Sequence, residues 1–298
     1  MFDFEKGRIR FIRGGKYPQC NSVFIDDALR AVIDPASDEA KLLALHRERP
    51  IQVIINSHSH EDHFLYNSRF PEAELWVPEL EAEAFRDLNA FYDQFFDPQG
   101  VDEKTKAQWT IFFNEVVKYQ PRDPGRLLND EDILDFGETR TRVLHTPGHS
   151  PGHLSFHFTR EKVLYLADLD LVKFGPYYGD KASSIDDTIK SLQRIAAIEA
   201  DVYLVAHGKE GILDGDPAHI HRYLDVIYQR ENKLLEFLAS GAKTLDEVAA
   251  RGIIYGGHSL ANGAWELSMS EKIMMQKHLE RLVARGTAVL KDGLYQLV

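Results

Sequence analysis

The chain has 298 residues, of which 44% are hydrophobic, and a formal net charge of -12. This length allows a sizeable core in one large domain or two unequal ones. The negative charge argues against a large surface that binds phosphates regardless of sequence. No apolar run reaches the roughly 18 residues of a membrane span, and the start lacks a signal-peptide pattern. We therefore expect a cytoplasmic protein without a membrane partner.

The single cysteine, Cys20, limits the chemistry further. One cysteine excludes an internal disulfide and a thiolate-rich zinc site. Any metal ligands must therefore be histidines and carboxylates, and Cys20 itself is expected to be a packing residue.

The first part of the chain is predicted to alternate strands with one helix. Short β-rich runs with turn residues between them predict strands at 8–12, 22–25, 31–35, 51–55 and 75–77. A cap at Ser37-Asp38-Glu39 and helical periodicity over 41–46 predict a helix before the strand at 51–55. This order suggests a strand-helix-strand crossover.

Residues 78–121 differ in pattern from the strand-rich sequence before them. They contain two helix-like segments, at 79–96 and 102–119, that are rich in acidic and aromatic residues. They predict a helical insertion. We expect the aromatic side chains, including Phe95 and Phe96, to pack the insertion against the rest of the protein. The alternative is that they form a wall facing the substrate.

Strands return at 133–136, 139–144, 154–158, 163–166 and 202–205, with helices predicted at 184–197 and from about 215 to 238. The last part contains helices that begin near Thr244 and Ser270 and a hairpin with the turn Asp292-Gly293. This pattern is typical of a small winged-helix-like domain. We predict a catalytic domain at 1–238 and a winged-helix-like domain at 239–298.

Seven polar side chains follow predicted strands, where metal ligands can gather at one edge of a layered α/β protein. They are His58, His60, Asp62, His63, His149, Asp168 and His207. Seven such groups suit two metal ions with one carboxylate shared between them. Two cations that share a water lower its pKa and polarise a substrate oxygen, so the implied reaction is hydrolysis.

These residues, together with Asp34 and the turn Thr146-Pro147-Gly148-His149-Ser150-Pro151-Gly152-His153, resemble the metallo-β-lactamase superfamily. The resemblance implies a four-layer αββα sandwich. It implies one metal on His58, His60 and His149, the other on Asp62, His63 and His207, and Asp168 between them. It favours Asp168 over Asp170 as the bridging carboxylate, and places Asp34 behind the histidine loop as an orienting group.

The function implied is that of a binuclear metal-dependent hydrolase in which a metal-bridging hydroxide attacks an ester-like substrate (thioester, lactone or phosphodiester). Asp62 and Asp168 are the catalytic carboxylates in this hypothesis. The cofactors are two divalent metal ions, zinc first, with iron or manganese as alternatives. An endoribonuclease aided by the winged helix and a non-hydrolytic di-iron protein are the alternative functions.

Substrate contacts are predicted in the loop after Asp168, where Lys173, Tyr177 and Tyr178 could hold an anionic or aromatic group. A surface loop with packed tyrosines is the alternative. The C-terminal segment resembles that of lactamase-beta-2-like proteins, some of which cut RNA. From Glu236 onward, seven basic and seven acidic residues cancel, so a small-molecule substrate is favoured over nucleic acid. A homodimer is one option for assembly.

Overall fold

The computed structural model describes residues 1–95, 103–209, 211–256 and 265–298. Its first sheet contains seven strands in chain order: β1 (Phe4–Lys6), β2 (Ile9–Ile12), β3 (Ser22–Ile25), β4 (Ala31–Ile33), β5 (Val53–Ile55), β6 (Glu74–Pro78) and β7 (Arg126–Leu128). The strands β1 to β4 are antiparallel, whereas β4 to β7 are parallel. Helix α1 (Glu39–Glu48) joins the parallel strands β4 and β5, which confirms the predicted crossover.

The second sheet contains six strands: β8 (Ile133–Asp135), β9 (Arg140–His145), β10 (Leu154–Phe158), β11 (Val163–Tyr165), β12 (Val202–Leu204) and β13 (Ile212–Asp214). Its order is β13-β12-β11-β10-β9-β8. All neighbours are antiparallel except β11 and β12, which are joined through helix α5 (Ile185–Ala196). The carboxyl ends of β9, β11 and β12 therefore meet at one edge.

Side chains along β11 alternate between two cores, as the pleat of a strand requires. Val163 and Tyr165 belong to a core that also contains residues of the first sheet, so the two sheets are stacked. Leu164 and Leu166 instead pack with α5 and with helix α6 (Ala218–Leu238) on the outer face. The architecture is mixed α/β with helices outside stacked sheets, which is the predicted fold class.

The insertion between β6 and β7 contains α2 (Ala82–Arg86), α3 (Leu88–Phe95), α4 (Glu103–Phe112) and a π-helical turn at Phe113–Val117. The helix predicted at 79–96 is thus broken at Asp87, between α2 and α3. Phe91 and Phe113 are buried and contact Phe64, which directly follows the histidine loop. These rings confirm the packing interpretation, whereas Phe96 and the side chain of Phe95 lie outside the described residues.

The C-terminal segment contains α7 (Leu245–Ala250), α8 (Trp265–Ala284) and a hairpin of β14 (Ala288–Lys291) and β15 (Leu294–Leu297). Asp292 and Gly293 both have positive φ, as the tight turn requires. A small core joins the segment to the end of α6 through Leu238, Val248 and Leu279.

In the described ranges, no helix combines the length and apolar character needed to cross a membrane. The cytoplasmic location inferred from the sequence stays a prediction.

Candidate metal centre

The histidine loop begins where β5 ends, beside the end of the parallel strand β4. Asp34, which follows β4 with a positive φ of 51°, accepts a hydrogen bond from the backbone N–H of Ser57 at 2.7 Å. Asn56 Nδ2 donates to the carbonyl of His63 at 3.0 Å and closes the loop. The loop is therefore held at both ends by buried polar side chains.

Three histidines converge on one point from two loops. His60 Nδ1 lies 2.9 Å from His58 Nε2 and 2.8 Å from His149 Nε2. His149 reaches this point because its loop joins β9 and β10 at the same edge of the structure. We call these residues the three-histidine group.

A second group consists of Asp62, His63 and His207, whose ligand atoms also lie close together. Asp62 Oδ2 is 3.3 Å from His207 Nε2, and Asp62 Oδ1 is 3.8 Å from His63 Nε2. His207 follows β12, whereas Asp62 and His63 follow β5, so the second group joins the two sheets.

Asp168 lies between the two groups, just after β11. Its Oδ2 is 3.2 Å from His149 Nε2, and its Oδ1 is 2.8 Å from His63 Nε2 and 3.4 Å from His207 Nε2. Each oxygen thus faces a different group. Asp170 instead accepts a hydrogen bond from the backbone N–H of His207 at 2.8 Å.

The donor set fits metal ions. Among the described residues, His63 Nε2 and Asp168 Oδ1 are buried atoms without a hydrogen-bond partner, although they lie only 2.8 Å apart. Buried polar atoms rarely lack partners in folded proteins. The two atoms are close but not aligned for a hydrogen bond, as expected of ligands that point at a common ion.

The second ring nitrogen of most of these histidines has its own partner, which fixes the ring orientation that metal ligation needs. His63 Nδ1 lies 3.0 Å from Asp34 Oδ2, His58 Nδ1 lies 3.0 Å from Ser57 Oγ, His149 Nδ1 donates to the carbonyl of Tyr177, and His60 Nε2 donates to Asp180 Oδ2 at 2.9 Å. Asp34 therefore lies where the sequence predicted it. Asp180 was missed.

Charges around the site shift several pKa values in opposite directions. Burial lowers the pKa of His58 well below its ordinary value, and the neighbouring histidines add to this. Burial also acts to lower the pKa of His63, but Asp168, Cys20, Asp34 and Asp62 together outweigh it, and the net pKa lies well above the ordinary value. For Asp170, burial and then Asp168 raise the pKa to about 6. The shared edge of the sheets thus concentrates negative charge that cations would offset.

His153 is fully buried, and its Nε2 accepts a hydrogen bond from the backbone N–H of Asp168 at 3.2 Å. It therefore positions Asp168 and does not join either ligand group. This agrees with its expected role as a packed or orienting histidine.

The three predicted substrate residues differ in placement. Tyr177 lies beside the site, with its ring centroid 5.8 Å from that of His149, and Lys173 is exposed. Tyr178 is fully buried, and its hydroxyl is 2.8 Å from His278 Nε2 and 3.0 Å from Arg230 Nη1. The expectation that Tyr178 contacts substrate is therefore corrected, because α6 and α8 enclose its side chain.

The chain belongs to the metallo-beta-lactamase superfamily, whose family model matches residues 16–207, more than half of its length. This confirms the resemblance seen in the motifs. A crystal structure of a metallo-beta-lactamase family protein from Thermus thermophilus has a TM-score of 0.70 over 97% of this chain and 98% of that chain. The two sequences are 22% identical, so the likeness concerns the fold.

Two curated relatives match shorter stretches. Acyl-coenzyme A thioesterase MBLAC2 of Gallus gallus is 32% identical over 79 residues, which are 25% of this chain and 27% of the relative. Hydroxyacylglutathione hydrolase of Rhizobium etli is 36% identical over 93 residues, 30% of this chain and 34% of the relative. The chain thus spans well under half the length of either relative.

Proposed function

We propose that the protein is a binuclear metal-dependent hydrolase that acts on thioesters. The observation that carries the proposal is the carboxylate of Asp168, whose two oxygens face two different groups of ligand side chains. The three-histidine group would hold one divalent ion, the second group would hold the other, and Asp168 would contact both. Five imidazoles and two carboxylates without a thiolate suit zinc, with iron or manganese as alternatives.

When bound, two divalent cations would lower the pKa of the attacking water and would polarise the carbonyl oxygen of the substrate. The water oxygen bonds to the thioester carbon, the carbon–sulfur bond breaks, and the products are a carboxylic acid and a thiol. Asp62, whose oxygens lie beside His63 and His207, takes up the proton of the water and passes it to the departing sulfur. Tyr177, whose ring centroid lies 5.8 Å from that of His149, is the side chain proposed to contact the substrate.

The thioester class is supported by the two relatives, one named a thioesterase and the other a hydroxyacylglutathione hydrolase. A nucleic acid substrate is less favoured, because the chain has a net charge of -12 and its C-terminal segment is neutral. We therefore propose a small molecule as the partner.

We also propose that residues 239–298 are a winged-helix-like domain beside a catalytic domain at 1–238, as in lactamase-beta-2-like proteins. The hairpin after α8 supports this. We propose that this domain packs against the catalytic domain. Ser270 of α8 lies within hydrogen-bonding distance of the Tyr177 hydroxyl, and His278 of α8 lies within hydrogen-bonding distance of the Tyr178 hydroxyl. A homodimer stays a prediction.

The test is a hydrolysis panel with zinc-loaded protein. The panel contains a hydroxyacylglutathione thioester, an acyl-coenzyme A, a lactone, a phosphodiester and a short single-stranded RNA. We expect a thioester to be cleaved with kcat/KM of at least about 10⁴ M⁻¹ s⁻¹, the lower end of the usual range for enzymes, and no RNA cleavage.

A His60→Ala variant prepared in parallel controls for contaminating hydrolases. Cleavage of RNA or phosphodiester without cleavage of any thioester would contradict the proposal and favour the endoribonuclease alternative. An iron absorption band in the protein as purified, together with no hydrolysis of any substrate by that preparation, would favour the di-iron alternative.

A further inference from the structure

Glu81 is a buried carboxylate outside both ligand groups. It is 1% exposed and ends the short turn Glu79–Glu81 after β6. Its Oε2 accepts hydrogen bonds from the backbone N–H and the hydroxyl of Ser59, at 2.6 and 2.7 Å. Its Oε1 accepts from the backbone N–H of Gly152 at 2.7 Å and from the hydroxyl of Ser150. One carboxylate therefore binds two loops through four uncharged donors.

The donors are placed next to the ligands of only one group. Ser59 separates His58 from His60, and Ser150 directly follows His149. Each oxygen of Glu81 thus holds one of the two loops whose histidines converge. A shift between these loops would separate His149 from the other two imidazoles.

Gly152 gives an independent indication that the site is built around Glu81. A Cβ atom at Gly152 would lie 2.7 Å from Glu81 Cγ and 3.1 Å from Oε1. Real Cβ atoms essentially never lie within 3.0 Å of a heavy atom of another residue in this way. The lack of a side chain at 152 therefore leaves the space that the Glu81 side chain occupies.

We propose that Glu81 is a positioning residue that holds the loops of His58, His60 and His149 in the arrangement required for one of the two metal ions. This inference rests on the metal-binding part of the proposed function and not on the choice of substrate. Outer partners of metal ligands typically contribute about 10- to 100-fold in metal affinity. Because Ser59 and Ser150, which Glu81 holds, are directly adjacent to His58, His60 and His149 and not to Asp62, His63 or His207, its effect should be confined to the three-histidine group.

The experiment measures zinc affinity by competition with a chromophoric chelator in two backgrounds. His207→Ala disables the second group, and His149→Ala disables the three-histidine group. Glu81→Gln keeps the size of the side chain but replaces one acceptor oxygen by a donor. We expect Glu81→Gln to weaken zinc binding about 10- to 100-fold in the His207→Ala background and to leave it unchanged in the His149→Ala background.

Glu79→Gln is the matched control, because Glu79 lies in the same turn and is exposed. It should change zinc affinity in neither background. If Glu81→Gln does not fold, Ser150→Ala removes a single donor and should give a smaller loss, again confined to the His207→Ala background.

Equal zinc affinity with and without Glu81→Gln in the His207→Ala background would overturn the inference alone. Equal losses in both backgrounds would also overturn it, because they would indicate a general loss of structure. A wild-type chain that binds no zinc would overturn both the inference and the proposed function.

Discussion

Replacing Asp168 with asparagine is expected to lower kcat/KM for thioester hydrolysis by at least about 10³-fold. Loss of one electrostatic stabiliser in an active site typically costs about 10²- to 10³-fold. Asp168 should exceed that range, because its two oxygens face two ligand groups and an amide offers only one acceptor to them. Steady-state kinetics and the metal content of the same preparation measure the effect.

Asp170→Asn is the matched comparison, because Asp170 lies two residues further along the chain and its hydrogen bond to His207 is to the backbone N–H. A supporting residue of this kind is expected to contribute about 10- to 100-fold. A loss in Asp170→Asn that equals or exceeds the loss in Asp168→Asn would contradict the assignment of the bridging carboxylate.

Replacing Glu231 with alanine is expected to lower the free energy of unfolding by about 3–5 kcal/mol, the usual cost of removing one partner of a buried ion pair. Glu231 of α6 is 8% exposed and forms an ion pair with Arg281 of α8, which also binds Asp186 of α5 at 2.7 Å. His278 Nδ1 lies 3.6 Å from the same carboxylate. Without Glu231, Arg281 keeps Asp186 of α5 as an acceptor, but α6 loses its ion pair with α8 and the buried guanidinium loses one of its two carboxylates.

Denaturant unfolding of the zinc-loaded chain measures this change. Glu236→Ala is the control, since Glu236 lies on the same helix but is exposed, and surface substitutions usually change stability by less than about 0.5 kcal/mol. A loss below about 1 kcal/mol for Glu231→Ala would contradict the importance assigned to this ion pair.

The ligand residues were predictable from the sequence because their pattern is local. His58, His60, Asp62 and His63 lie within six consecutive positions after one apolar strand, and the remaining ligands also follow strands. The carboxyl ends of parallel strands meet at one edge. This rule brings Asp34 beside the loop as well, since β4 and β5 are parallel.

Two of the supporting residues, Glu81 and Asp180, were not predictable in the same way. Glu81 is separated from Ser59 by 22 positions and from Gly152 by 71, and Asp180 is 120 positions from His60. Nothing in the residues around Glu81 distinguishes it from the exposed acids of the same segment. Its role depends on tertiary packing that hydrophobic periodicity does not encode.

Other differences arise from short elements and enclosed loops. The strands β1, β7 and β13 were not predicted: each has three residues and is only partly buried, so it lacks the apolar run that revealed the equally short but fully buried β4, β5 and β11. Tyr178 was expected to contact the substrate because it lies in the loop that follows the ligand Asp168. A tyrosine in such a loop can either face the site or pack in the core. Arg230 and His278, from distant helices, bind its hydroxyl and decide between the two.

The metal content of the chain, purified without chelators and measured by elemental mass spectrometry together with activity, tests the central claim most directly. We predict about two divalent ions per chain, as a shared carboxylate between two ligand groups requires. Removal of both ions by a chelator should abolish thioester hydrolysis, and zinc should restore it. A fully active chain that contains less than about one metal ion would contradict the account.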